Sequence, residues 1–171
     1  MFKRIASLVL LASVMFCGQA FAQEAQCVTA FGQTACGYNC VSAFGNVKCS
    51  QTPQGNCIQG YGNILCWDPD IRTRQQAECI SGYGELACGY NCIAAYGELK
   101  CSRTPQGNCV QGYGNILCWD PSERTHKQAE CISGYGELAC GYGCVAAYGE
   151  LKCSTNPNGL CHAASGDITC F

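Results

Sequence analysis

Cys79-Ile80-Ser81-Gly82-Tyr83-Gly84-Glu85-Leu86-Ala87-Cys88 is the stretch on which the fold turns. Two cysteines enclose eight residues. A β-branched residue follows the first cysteine, a Tyr-Gly pair sits in the middle, and Leu86 stands two before the second cysteine. The same frame starts at Cys27, Cys40, Cys57, Cys79, Cys92, Cys109, Cys131, Cys144 and Cys161, nine copies in all. Strand formers at both ends with a central glycine read as a β-hairpin. Glycine stands sixth in every copy, as at Gly84, where the backbone needs positive φ.

Two registers compete for each unit. With an even loop the two cysteines lie opposite each other, and opposed Cα atoms about 4.5–5.5 Å apart suit a disulfide. Each unit then closes its own bridge, but Ile80 and Leu86 fall on opposite faces. With a three-residue loop bulged at Gly84, Ile80 faces Leu86. The cysteines then point apart and must bridge between units. The local bridge is favoured, because the eight-residue spacing is fixed while the gaps between units vary among 3, 7 and 12 residues. That reading pairs Cys27 with Cys36, Cys40 with Cys49, Cys57 with Cys66, Cys79 with Cys88 and Cys92 with Cys101. It also pairs Cys109 with Cys118, Cys131 with Cys140, Cys144 with Cys153 and Cys161 with Cys170.

Cys27, Cys79 and Cys131 are 52 residues apart and open three repeats, at 27–78, 79–130 and 131–171. Residues 79–102 and 131–154 differ only at Asn91 against Gly143 and Ile93 against Val145. Three connectors recur. Gly37-Tyr38-Asn39 and its copies are tight links whose Gly and Asn suit positive φ. Thr52-Pro53-Gln54-Gly55 and its copies fit a type I turn. The third, Trp67 to Glu78 and Trp119 to Glu130, opens on Trp-Asp-Pro, and its later part suits one or two helical turns. Phe171 holds the place of Trp67 and Trp119, where an aromatic is expected to cover the end of its own repeat; stacking on a ligand is the other use.

The chain begins as a secretory signal does. Lys3 and Arg4 precede an apolar run from Ile5 to Phe16, and Ala20-Phe21-Ala22 offers small residues for cleavage after Ala22. The signal is thus 1–22, with a short tail at 23–26. The bulky Phe16 fits poorly with acylation at Cys17. The apolar run is short of the about 20 residues of a membrane span, and no later run qualifies. Losing Cys17 leaves 18 of the 19 cysteines, an even number that suits a disulfide framework in the periplasm, at the cell surface or in the medium. Losing Lys3 and Arg4 leaves eight basic against twelve acidic residues, a net charge near −4. No basic face exists for nucleic acid.

The Cys36/Cys40, Cys88/Cys92 and Cys140/Cys144 spacings fall within the zinc range, but each cysteine already belongs to a hairpin unit. No C-x-x-C occurs, so redox and haem motifs are missing. His126 and His162 lie in no triad pattern. Glu85, Glu98, Glu137 and Glu150 recur with the unit, whereas an active site is normally built once. Neither an enzyme nor a cofactor is read here.

The aromatics at the fifth position are the functional candidates: Tyr61, Tyr83, Tyr96, Tyr113, Tyr135 and Tyr148, with Phe31 and Phe44 in the first repeat and Ser165 in the last unit. A polar residue stands two further on in most units. An exposed ring beside a polar group suits sugar stacking; the alternative lays each ring over the neighbouring hairpin as core. The expected fold is all-β, small and disulfide-rich, with tandem hairpins in an elongated array. A closed pseudo-threefold arrangement is the alternative, and six strands per repeat exceed the four of a β-trefoil. The expected role is structural or adhesive, with multivalent binding of cell-surface glycan or of another exported protein. A secreted inhibitor or toxin-like effector acting through hairpin tips, and cysteine-based metal sequestration, are the alternatives. A free-thiol count separates the last from the others.

Overall fold

A computed structural model describes residues 24–69, 73–122 and 125–171. The expected signal at 1–22 and Cys17 lie outside them. The described chain holds fifteen strands and no helix. Repeat 1 contributes β1 (Gln26–Ala30), β2 (Gln33–Ala43), β3 (Asn46–Ser50), β4 (Asn56–Gly60) and β5 (Asn63–Trp67). Repeat 2 contributes β6 (Glu78–Gly82), β7 (Glu85–Ala95), β8 (Glu98–Ser102), β9 (Asn108–Gly112) and β10 (Asn115–Trp119). Repeat 3 contributes β11 (Glu130–Gly134), β12 (Glu137–Ala147), β13 (Glu150–Ser154), β14 (Cys161–Ala164) and β15 (Asp167–Cys170).

Each C-x8-C unit is an antiparallel hairpin with a two-residue loop. In the unit quoted above, Cys79 pairs with Cys88, Ile80 with Ala87, Ser81 with Leu86 and Gly82 with Glu85. Tyr83 and Gly84 form the loop at φ 50° and 84°, the signs a type I′ turn requires. The even loop sets the cysteines opposite one another. All nine units close their own bridge, with Cα atoms 4.0–4.1 Å apart. A framework this dense belongs to an oxidising environment.

The opposite placement of Ile80 and Leu86 is what lets the hairpins stack. Strand residues alternate between faces, so the disulfide, Ser81 and Leu86 share one face of the hairpin. Ile80, Ala87, Gly82 and Glu85 share the other. Each hairpin lays its disulfide face on the second face of the hairpin before it. A Cβ on Gly60 would sit 2.9 Å from Leu86 Cδ2, and one on Gly82 would sit 3.3 Å from Leu99 Cδ2. Small residues at that position therefore receive the aliphatic side chain of the next hairpin. At Gly89 the fit is tighter: a Cβ would meet Cys101 Cβ at 2.7 Å and also the Ser102 carbonyl oxygen. The buried core is accordingly a single file of aliphatic residues such as Val47, Ile64, Ile116, Leu151 and Ile168 between hairpins.

The short Gly-Tyr-Asn connector is not a turn. It lies inside the eleven-residue strands β2, β7 and β12, and the pairing slips there, between Tyr38 and Val41 in β2 and between Tyr90 and Ile93 in β7. One long strand thus serves two successive hairpins, and each repeat has five strands rather than six. Asn39 and Asn91 sit at φ 46° and 48° and make the bend.

The Pro-Gly connector does turn, with Gly55 N donating to Thr52 O at 3.1 Å. The later part of the long connector is not helical over 73–77. Its backbone bonds across instead of along: Ala77 N donates to Gln54 O at 2.8 Å, and Gln76 Nε2 to Gly55 O at 2.8 Å. So short a segment cannot hold a helix unaided, and the turn it crosses supplies better partners. Trp67 does more than cover its own repeat. It meets Tyr90 of repeat 2 edge-on, with centroids 5.6 Å apart, and Trp119 meets Tyr142 in the same way at 5.4 Å.

Every strand touches only strands up to three places away in chain order, and β1 meets neither β14 nor β15. The array is open and elongated, and the closed threefold arrangement does not form. No helix among the described residues is long and apolar enough to cross a membrane.

Candidate functional site

The tips of the hairpins form a row, with the small residue beside the tip receiving the next hairpin's leucine at Gly60, Gly82, Gly112 and Gly134. The fifth-position aromatics stand on that row. Phe31, Phe44, Tyr61, Tyr83, Tyr96, Tyr113, Tyr135 and Tyr148 are all 54–62% exposed. They do not serve as core over the neighbouring hairpins. The rings that do are Tyr90 and Tyr142, both fully buried, in the connectors. Burial raises the pKa of Tyr90 and Tyr142 above the usual phenol value.

Backbone conformation makes this choice of residue informative. The eight aromatics sit at φ 50–53° or, at Tyr135, 49°. Asn, Asp and Gly favour the first position of such a loop. A bulky residue there costs on the order of 1 kcal/mol. Stability alone would therefore have chosen Asn-Gly tips. Eight tips instead hold a ring that buries little and strains the backbone.

The residue two after each ring sets the charge of the row. Glu98 is bridged by Lys100 at 3.0 Å, and Glu150 by Lys152 at 3.2 Å. Lys152 also reaches Asp167 at 3.3 Å, and Glu150 first and then Asp167 raise its pKa. The same lysines knit the stack: Lys48, Lys100 and Lys152 donate to the carbonyls of Ile64, Ile116 and Ile168 at 3.0–3.1 Å. Between the tips of β9–β10 and β11–β12 lies a shallow groove of about 370 Å³ lined by Tyr113, Asn115, Leu117, Glu137 and Leu138, among others. A hollow of about 400 Å³ elsewhere, on Pro121, Tyr142 and Asn156, has no charged side chain in its lining among the described residues.

Asp68 and Asp120, passed over in the sequence, organise the connectors. Asp68 Oδ1 accepts from Ser50 Oγ at 2.8 Å, Gln51 N at 2.8 Å, Thr52 N at 2.9 Å and Thr52 Oγ1 at 3.0 Å. Asp120 repeats this with Ser102, Arg103 and Thr104. Burial pushes both carboxyls up, but the four donors together hold each below the usual carboxylate value. The signal for this clamp was the invariable Asp after Trp, eighteen residues from a serine that follows a cysteine. It is a structural device.

The remaining candidates do not converge. His126 and His162 are both exposed. Cys36 and Cys40 belong to different bridges, as do Cys88 and Cys92, and Cys140 and Cys144. Comparison with known protein families, with characterised proteins and with solved structures finds no match for the chain.

Proposed function

We propose that this is an exported, non-enzymatic repeat protein with a structural or adhesive role, whose hairpin tips bind cell-surface glycan multivalently. In this reading the segment 1–22 directs export and is cleaved after Ala22, releasing the chain to the periplasm, the cell surface or the medium. The observation that carries it is the tip row: eight exposed aromatics, held at positive φ at a cost to stability. Flat rings beside carboxylates and amides give face stacking plus hydrogen bonds. Each such contact is weak, and a row of them on one rigid array gains strength by avidity.

The near-identity of the tips supports this over an inhibitor, which needs one distinctive loop. Metal sequestration would need reduced cysteines, and the structure pairs eighteen of them. The test is a glycan array together with a cell-wall pull-down, using the oxidised chain from residue 23. Binding should weaken progressively as tip tyrosines are changed to serine, the residue at position 165. A blank array and a blank pull-down reject the proposal.

A further inference from the structure

The steps between successive tips are of three kinds, set by the residue just before each closing cysteine. It is Ala in hairpins 1, 4 and 7, Lys in hairpins 2, 5 and 8, and Leu in hairpins 3 and 6. The Lys steps are crossed by the lysine bonds described above. The Leu steps fall at the two repeat boundaries. There the second boundary carries the 370 Å³ groove, floored by Leu117 and Leu138 with Tyr113 exposed on its wall. Asn115 and Glu137 stand on its rim. Asn115 Oδ1 is taken up by Ile116 N at 2.8 Å, and the amide N–H groups of this exposed residue have no partner among the described residues. The first boundary has the same residue at each of these positions: Tyr61, Leu65, Asn63, Glu85 and Leu86.

Glu137 and Glu85 differ from the other tip glutamates in one respect. Glu98 and Glu150 each hold a lysine. Glu85 and Glu137 hold none among the described residues. The second-boundary groove therefore joins an exposed ring, apolar leucines, amide donors and an uncompensated negative charge, and the first boundary places the same residues in the same order. We infer that these grooves are two equivalent sites for a hexosamine unit bearing a free, protonated amine. The sugar ring's apolar face fits the tyrosine and the leucine floor. Its hydroxyl oxygens fit the amide donors, and its ammonium fits the glutamate. Uronates and other anionic sugars are disfavoured by the same charge. This inference rests on the glycan reading above and narrows it.

The probes are a β-1,4-linked glucosamine hexamer, its N-acetylated counterpart and a uronate hexamer, titrated by calorimetry onto the oxidised chain. The glucosamine hexamer should bind best, and its advantage should fade at high salt. Glu85→Gln with Glu137→Gln should remove that advantage, weakening it by up to about fivefold per site, while leaving binding of the acetylated hexamer unchanged. Glu98→Gln with Glu150→Gln should leave the advantage in place. All four glutamates are exposed, and circular dichroism checks that the variants fold. Equal binding of the amino and acetylated hexamers, or loss of preference only on changing Glu98 and Glu150, overturns the inference and leaves the glycan reading standing. No binding of any hexamer, with a blank array, overturns both.

Discussion

Removing one bridge at a time separates loop entropy from stacking. Each bridge closes the same ten-residue loop, with the cysteines nine apart in sequence. Chain entropy alone therefore assigns every bridge the same value, about 2.7 kcal/mol. The array breaks this equivalence. Among the described residues no hairpin lies over the disulfide face of the first hairpin, and Cys27 and Cys36 are exposed. The disulfide face of the sixth hairpin is covered by the fifth, and Cys109 is 8% exposed. Replacing both cysteines by alanine there also leaves a void between stacked hairpins, which adds about 1–2 kcal/mol. Cys109→Ala with Cys118→Ala should therefore cost about 4 kcal/mol, and Cys27→Ala with Cys36→Ala about 2–3 kcal/mol. Guanidinium unfolding without reductant, followed by circular dichroism, gives both midpoints. Equal midpoints, or a larger loss at the first hairpin, would refute the view that stacking on the disulfide face stabilises the array.

Four further outcomes are expected. Full reduction should unfold the chain, because the apolar stock of each hairpin is small; native circular dichroism in reductant would contradict this. Asp68→Asn and Asp120→Asn should each cost about 1–2 kcal/mol by weakening charge-assisted bonds. Since the native carboxyl values lie below the unfolded one, of about 3.9, the clamps contribute fully above that pH. Their contribution is lost as pH falls through the native values, so the double Asn variant should show a shallower acid limb in a pH series of melts. Tyr90→Ala should cost about 3–5 kcal/mol, and Tyr83→Ala within about 0.5 kcal/mol, in the same denaturant assay. Tyr83→Asn should leave stability unchanged or raise it by about 1 kcal/mol by relieving positive φ, while weakening glycan capture.

Much of the fold was legible because parity is a discrete signal. Eight residues between cysteines, with Gly sixth, allow an even loop or a bulged odd one. Only the even loop lets every unit bridge itself, and nine repetitions of one spacing favour it. The strand count was misread at Gly37-Tyr38-Asn39 for a reason of the same kind. Three residues carrying Gly and Asn resemble a turn, and only the pairing of Tyr38 with Ser50 shows a bulge in a continuous strand. The 73–77 segment was misread because its bonding partners lie on a turn about twenty residues earlier, which local propensity does not report.

Which tyrosines are buried was the harder question, and its answer bears most on function. Tyr83 and Tyr90 are seven residues apart and belong to equally repetitive motifs. In composition and spacing they are equivalent. What separates them is the backbone. Tyr90 lies in a strand that crosses from one hairpin to the next, so its ring is carried inward under Trp67. Tyr83 lies at the apex of a two-residue loop, where φ near 50° points the side chain away from both strands. No packing energy accrues there, and the conformation favours Asn. A chain stabilised by nine bridges tolerates eight such strained tips, because a strain of on the order of 1 kcal/mol per tip falls within what one ten-residue bridge contributes, about 2.7 kcal/mol. The disulfide scaffold and the aromatic row are thus linked. The bridges let a small array carry rings that its own packing does not use and leave them free for a ligand.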